Sequence, residues 1–443
     1  MAVSPPAKRA GSDADVRAGG ETPRRSEFAR RGRRFAAVLA VVLALDGADR
    51  SALGVLAPDI KHAFQISNTD LGLLAAAFGV VGGLATIPAG VLTDRMARVR
   101  LLAGSIVLWS VAMVIGGLAF SFAVLFAARL ALGAVTATGG PTVLSLSGDL
   151  FRRQERGRAM SWIRAGEFVG AGLGFLVAGT VAAFVSWRGV FLLFAFCGVV
   201  VFTRVARLPE PRRTSDHTED QPERGLRPLW RAVRYALEVP TYRTIIVAGA
   251  VGDFFFAAIT VFGVLFAVRQ YHVSQATAAM LLPVVGTGAL IGILVAGRLT
   301  DALIARGVPT ARVLVPALCL IGGAFVLVPA ACFPSIGVGM PVLLAGGLLL
   351  AAPNPPLDAA RLDVLQGNVW GRAEGIRTAL RVGVQAAGPL AFGLLSDHLA
   401  NGGAQGMRLA FLIILVPLAL SGLVLLRATK TYGSDLAAAS SSA

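Results

Sequence analysis

The pattern Gly-x-Leu-Thr-Asp occurs twice in this chain, at Gly90–Asp94 and again 207 positions later at Gly297–Asp301, and each copy closes an apolar stretch long enough to cross a bilayer. Asp46 and Asp253 repeat the same offset, each about ten residues into such a stretch. A carboxylate near the membrane midplane costs roughly 3 kcal/mol on insertion scales, so a pair at matched depth marks a working position in each copy. The sequence therefore reads as a duplicated, all-α membrane protein: twelve transmembrane helices in two pseudo-symmetric six-helix bundles.

Composition agrees with that reading. Of 443 residues, 55% are hydrophobic and 15% charged, and the mean hydropathy is +0.71, more apolar surface than a soluble core of this length buries. Apolar stretches fall at residues 35–58, 69–92, 101–120, 122–148, 159–184, 188–206, 243–268, 275–299, 311–331, 337–357, 374–397 and 408–427. The expected domains are a disordered, basic cytoplasmic tail at 1–34, an N-terminal bundle at 35–206, a cytoplasmic linker at 207–242, a C-terminal bundle at 243–427 and a second cytoplasmic tail at 428–443. Residues 1–34 are polar and contain no apolar core that would mark a signal peptide. Within the linker, Leu226 to Leu237 forms a basic amphipathic stretch, either a connector or a regulatory element. The 52 glycines suit helices that pack backbone to backbone.

The net charge of +16 is not spread as a nucleic-acid surface would be. Arginines crowd alternate connections, at Arg95, Arg98 and Arg100, at Arg152 to Arg158, at Arg212 to Arg234, at Arg306 and Arg312, and at Arg427, whereas the intervening loops are poor in them. That asymmetry places both termini in the cytoplasm and the protein in the inner, cytoplasmic membrane. Cys197, Cys319 and Cys332 form no metal or redox pattern, and no hydrolase, metalloprotease or phosphate-loop string is present, so neither an enzyme nor a cofactor is expected.

Two bundles around a shared cavity can rock about a central site. The gate is expected at the cytoplasmic ends of helices 2 and 8, where Gly90, Asp94, Arg95, Arg98 and Asp301 meet helices 11 and 5 of the opposite half. Those partner helices carry a second repeat, Arg158 with Arg164 and Arg372 with Arg377, followed by Arg381.

Gly90 to Arg100 resembles the loop between helices 2 and 3 of the major facilitator superfamily, with Ala97 where that family usually has glycine. Arg129 with Gly133, and Trp187-Arg188 before Phe191, match two further strings of the family. Leu45 to Arg50, Val55 to Ile60, Leu71 to Leu73 and Asp149 to Phe151 resemble its spinster-like branch. The resemblance implies a monomeric secondary transporter that moves an amphipathic anion, foremost a lysophospholipid, with proton coupling; a drug exporter or organic-anion carrier is the alternative. In that branch a glutamate follows the helix-4 arginine by seven residues; here the position is Thr136. Proton coupling must then fall to Asp46, Asp49 or Glu167.

Asp46 and Arg50 lie four apart on one helical face, so they can pair, while Asp49 projects elsewhere. Arg50, Arg129, Thr136 and Asp253 are the expected substrate contacts, arginine being the side chain that grips phosphate or carboxylate with a planar fork. The alternative is that Asp46, Asp49, Arg50 and Arg129 form a static network. Asp253 is either an isolated proton carrier or the partner of Arg377 or Arg381, and Glu167 is either a proton carrier or the local neutraliser of Arg164 one turn away. The run from Pro353 to Pro356 either hinges helix 10 or ends it, with Asp358 beginning a loop.

Overall fold

A computed structural model describes residues 22–150, 156–210, 234, 237–365, 370–401 and 403–441. The N-terminal half contains α1 (Thr22–Phe64), α2 (Asn68–Arg95), α3 (Arg98–Gly117), α4 (Phe122–Thr136), α5 (Gly139–Leu150), α6 (Arg156–Phe184) and α7 (Trp187–Val205). The C-terminal half contains α8 (Pro240–Tyr271), α9 (Gln275–Ala305), α10 (Ala311–Cys332), α11 (Ile336–Ala351), α12 (Asn354–Asp363), α13 (Trp370–His398) and α14 (Gly403–Ser441). With α4–α5 and α11–α12 each counted as one broken span, each half has six. Among the described residues, ten helical segments are long and apolar enough to cross a bilayer. The other two spans are α1 and α13, long enough at 43 and 29 residues but interrupted by Asp46, Asp49 and Arg50 in one and by Arg377, Arg381 and Gln385 in the other.

Where span 4 was expected to be continuous, the helix breaks between Thr136 and Gly139. Pro141 has no N–H to offer the carbonyl one turn back, and Gly139 and Gly140 add freedom at the same point. Pro355 and Pro356 break span 10 in the same way, but the helix restarts as α12. Asp358 therefore sits on a helix, paired with Arg361, and does not open a loop. The first and last helices overrun their apolar stretches. Residues 22–34, expected as tail, continue α1, where arginine is a good helix former. Beyond residue 427, α14 is held to its own half by Tyr432, which donates to Asp363, and by Asp435, which accepts from the Thr241 N–H at the start of α8. Linker residues 211–233, which include most of the amphipathic stretch, lie outside the described residues.

The duplication is deeper than its motifs. Gln65 and His272, again 207 apart, both adopt a left-handed conformation with φ 52°. Two residues later Ser67 and Ser274, the same distance apart, cap α2 and α9 with their side-chain oxygens. The hairpins α1–α2 and α8–α9 thus turn and restart at equivalent positions of the repeat.

Contact between helices runs through glycine, because lipid supplies no hydrophobic force to press helices together and close backbone approach must. Along α1 and α6, side chains added at Gly166 and Gly170 would run into the backbone of Ala40 and Ala44, and one at Gly47 into that of Glu167. Large apolar groups such as Phe120, Phe168 and Phe184 are exposed on the surface. Gly170→Leu should therefore lower the melting temperature in detergent sharply, overpacking costing roughly 1–3 kcal/mol or more, whereas Gly172→Ala, which meets open space, should leave melting unchanged.

Candidate functional site

The charges of α1 form two pairs of opposite character. Asp49 is fully buried and accepts from Arg129 Nη1 at 2.8 Å, with Arg129 only 3% exposed and its guanidinium carbon 4.9 Å above the Phe191 ring. One oxygen of Asp49 and two nitrogens of Arg129 have no other hydrogen-bond partner. Sealed inside the N-terminal half, this pair ties α1 to α4. Asp46 instead pairs with Arg50 at 3.0 Å, one helical turn away, and 53% of the Arg50 side chain is exposed. The four residues, which the sequence grouped together, thus divide into a locked pair and an open one.

The open pair lines a cavity of about 120 Å³ whose walls also include Thr136 and Glu167. The α4–α5 break sets Thr136, Thr138 and the two glycines along one side, and close contact at Gly47 draws the α6 backbone at Glu167 onto α1. Thr136 occupies the position where the spinster-like pattern has glutamate, and Glu167 brings a carboxylate into the same space from a different helix. In the C-terminal half Asp253 is paired: Arg381 Nε lies 3.2 Å from its Oδ2, and Arg377 also acts on it electrostatically. The Gln385 amide sits between the two partners, donating to Asp253 at 3.3 Å or, turned over, accepting from Arg381 Nε at 3.0 Å. Arg381, expected at the gate, is in this structure the partner of Asp253.

The gate residues are spread along the terminal end, where α1 begins and α14 finishes. Helices α2 and α13 pack together, as do α9 and α6, the pairings expected for Asp94 and Asp301. Gly90 and Gly297 face open space, and Arg95 and Asp301 are exposed; the side chains of Asp94, Arg158 and Arg164 lie outside the described residues. Arg98 is buried within its own half, bonded to Ser145 of α5 at 3.1 Å and beside Glu210, whose carboxylate also caps the start of α3 through the Arg98 and Val99 N–H groups. Arg312 repeats that arrangement, pairing with Asp363 of α12, which in turn accepts from Tyr432.

Polar bonds between the halves are found at the remote end. Asp397 of α13 accepts from the Thr69 N–H at 2.7 Å, the Thr69 hydroxyl at 2.8 Å and the Asn68 N–H at 3.2 Å, so a carboxylate of one half caps a helix of the other. The Asn68 amide donates to Ser396 at 2.8 Å, and Lys61 donates to Asn68. Past the apolar part of α1, Lys61 is partly buried, and burial followed by the nearby Arg269 guanidinium brings its ammonium down to about 8. Gln275, the 207-residue counterpart of Asn68, donates to Val55 O at 2.7 Å and Asp59 at 2.8 Å. Each half thus sends the first amide of its second span across to the other. The repeat register could have revealed Asn68 and Gln275; nothing in the sequence singled out Gln385, Glu210 or the apolar part of the cavity wall, such as Leu102, Ile106 and Trp109.

Two measurements probe this arrangement. Arg129→Ala strands a buried carboxylate and should cost roughly 3–5 kcal/mol of stability, while the double change Asp49→Asn with Arg129→Gln should restore most of the melting temperature. Asn68→Ala and Gln275→Ala should each weaken remote-end closure by about 1 kcal/mol; spin labels at His62 and His398 should report a growing long-distance population, largest in the double variant.

A model of the Major Facilitator Superfamily matches residues 39–351. The probable L-galactonate transporter of Escherichia coli is 27% identical over 151 residues, 34% of this chain and 33% of that protein, so the match spans about a third of the relative's length. An MFS-type efflux pump of Mycolicibacterium smegmatis is 26% identical over 398 residues, covering 87% of this chain and 90% of the pump. The inward-facing, unoccupied crystal structure of a bacterial homologue of the human lysosomal transporter spinster superposes with a TM-score of 0.80 over 94% of this chain and 99% of its own, at 20% identity. With twelve spans, a duplicated architecture and a family match over most of its length, the chain belongs to the major facilitator superfamily and is a multi-pass membrane protein with a fold similar to that of the spinster homologue.

Proposed function

We propose that this protein moves an amphipathic anion, foremost a lysophospholipid, across the cytoplasmic membrane by alternating access coupled to protons. The observation that carries the reading is the Asp46–Arg50 pair opening onto a cavity beside Thr136 and Glu167. A guanidinium that is half exposed and held by one carboxylate on its own helix can exchange that partner for a phosphate or carboxylate on the cargo. A proton on Asp46 frees Arg50 for the cargo; loss of the proton returns Asp46 to Arg50 and expels it. The charged groups around Asp46 are Arg50 and Asp49 on α1, Arg129 behind Asp49, and Glu167 on α6. Glu167 takes over the part of the carboxylate missing at position 136, and Asp49, locked to Arg129, keeps α1 in register while its neighbours change partners.

In the other half Asp253 and Arg381 form the matching exchangeable pair, 26% and 44% exposed. Bonds across the remote end close that face, and the terminal-end residues Gly90, Asp94, Arg95, Asp301, Arg158, Arg164 and Arg377 form the gate that must close when the remote end opens. The protein works as a monomer, and its arginine distribution supports an orientation with both termini in the cytoplasm. The match to an efflux pump along nearly the whole chain supports a second reading, export of drugs or other organic anions through the same site.

Proteoliposomes decide between them. Labelled lysophospholipid should enter faster with an imposed pH gradient; Arg50→Ala should cut the rate at least tenfold with melting unchanged, and Asp46→Asn should remove the response to the gradient. An Arg50→Ala protein that transports at the normal rate would remove Arg50 from the site, and wild-type transport of drugs alone would favour export.

A further inference from the structure

Of the 41 lysines and arginines in this chain only three are lysine, Lys8, Lys61 and Lys430, and Lys61 stands where the two halves meet at the remote end. Arginine keeps its charge at any pH a protein meets, whereas a lysine sheds its proton when its surroundings disfavour the ammonium. Lys61 donates to the Asn68 amide oxygen, and the same amide donates to Ser396 of the opposite half at 2.8 Å. The link across the seam therefore begins at this amino group.

The seam has more positive than negative potential to offer it. Arg269 of α8, from the other half, is close enough to act on Lys61, and its own acceptor is the Met407 sulfur at 3.6 Å. The N-terminus of α2 adds to the positive side. Two carboxylates act on Lys61, Asp397 and Asp70. Asp397 already holds the Asn68 and Thr69 N–H groups and the Thr69 hydroxyl, and Asp70 is bonded back to its own cap at Ser67. The other charged groups of this end are engaged or outside. Asp59 accepts from Gln275, Arg188 of α7 lies over the Trp187 ring and donates to Ala119 O at 3.1 Å, and His62, His272, His398 and Arg408 are exposed. An amide oxygen accepts from an amine as well as from an ammonium. Loss of the proton thus relieves the repulsion between Lys61 and Arg269 while the bond to Asn68 stays.

We propose that Lys61 is a proton-binding site linked to the remote gate, holding its proton more tightly when the gate is open, so that protonation favours opening and deprotonation favours closure. On deprotonation the N–H bond breaks, the electron pair stays on Nζ and the proton passes to solvent on the remote face, which reaches this partly buried side chain; reprotonation is the reverse. Closure brings the Lys61 ammonium from its ordinary 10.5 down to about 8, burial being the first cause and the Arg269 guanidinium the second. Below that range Lys61 is charged in both states and closure bears the repulsion in full. Within it the closed gate holds an amine and the open gate an ammonium, so each rise of one pH unit favours closure by up to about tenfold. The inference rests on the reading of the protein as an alternating-access carrier and is independent of the cargo.

Full-length protein in nanodiscs, with Cys197, Cys319 and Cys332 replaced by serine and spin labels at His62→Cys and His398→Cys, would be followed by double electron–electron resonance from about pH 7 to about pH 9.5. The ratio of short to long distances should rise at least fivefold over that range. Lys61→Gln, which can still donate to Asn68 but has no proton to lose, should begin near the alkaline ratio and stay flat, and Arg269→Gln should move the rise to higher pH. A direct reading comes from 13C-dimethylated lysines, where the resonance absent from Lys61→Gln should titrate at least one pH unit below that of Lys430. A flat ratio with Lys61 in place, an equal rise in Lys61→Gln, or a Lys61 resonance that titrates with Lys430 overturns the proposal and leaves the carrier reading standing. A long-distance population missing from every variant at every pH overturns both.

Discussion

A charge in the low-dielectric core of a membrane protein must be answered by another charge, and the answer Asp49 receives from Arg129 organises the N-terminal half. With both groups sealed from water, neither can be removed alone without stranding its partner at a cost of roughly 3–5 kcal/mol. The pair fixes α1 against α4 and, through the Phe191 ring, against α7. Because Asp49 is occupied this way, Arg50 and Asp46 on the adjoining face are free to serve another purpose. Two ion pairs share one helical turn, one sealed and one open to solvent, and on the proposed reading only the open one changes partners.

The same economy runs through the ends of the bundle. Toward the chain termini each half is closed on itself, Arg98 with Ser145 and Glu210 in one and Arg312 with Asp363 and Tyr432 in the other. Toward the remote end the bonds cross between halves, with Asn68 and Gln275 reaching out from equivalent positions. Bonds within a half preserve its shape during motion. Bonds between halves, each about 1 kcal/mol net, are weak enough to be made and broken in a transport cycle. Two rigid lobes joined by a few exchangeable contacts are what rocking requires.

The breaks in spans 4 and 10 sit at related places in the two halves, each produced by prolines and relieved by a helix that restarts. In the N-terminal half the break borders the cavity, with Thr138 in the turn and α5 opening on Gly139 and Gly140 along the same wall. Non-helical backbone at membrane depth is tolerated where protein or a cavity covers it, and here it borders the cavity that holds Arg50.

Much of this was legible in the chain. The offset of 207, the apolar stretches and the arginine distribution determined twelve spans in two copies, because a bilayer leaves helices few alternatives and duplication leaves a register behind. The Asp46–Arg50 pair followed from helical spacing alone. Only tertiary structure decided which carboxylate Arg129 meets, that Arg381 belongs to Asp253, that Arg98 faces inward, and that Glu167 and Thr136 share one cavity with Ser105 and Trp109. Those contacts join residues tens or hundreds of positions apart. Periodicity tells which face of a helix a side chain is on but not which helix lies opposite, and it is the opposite helix that turns a charge into a strut or a binding group.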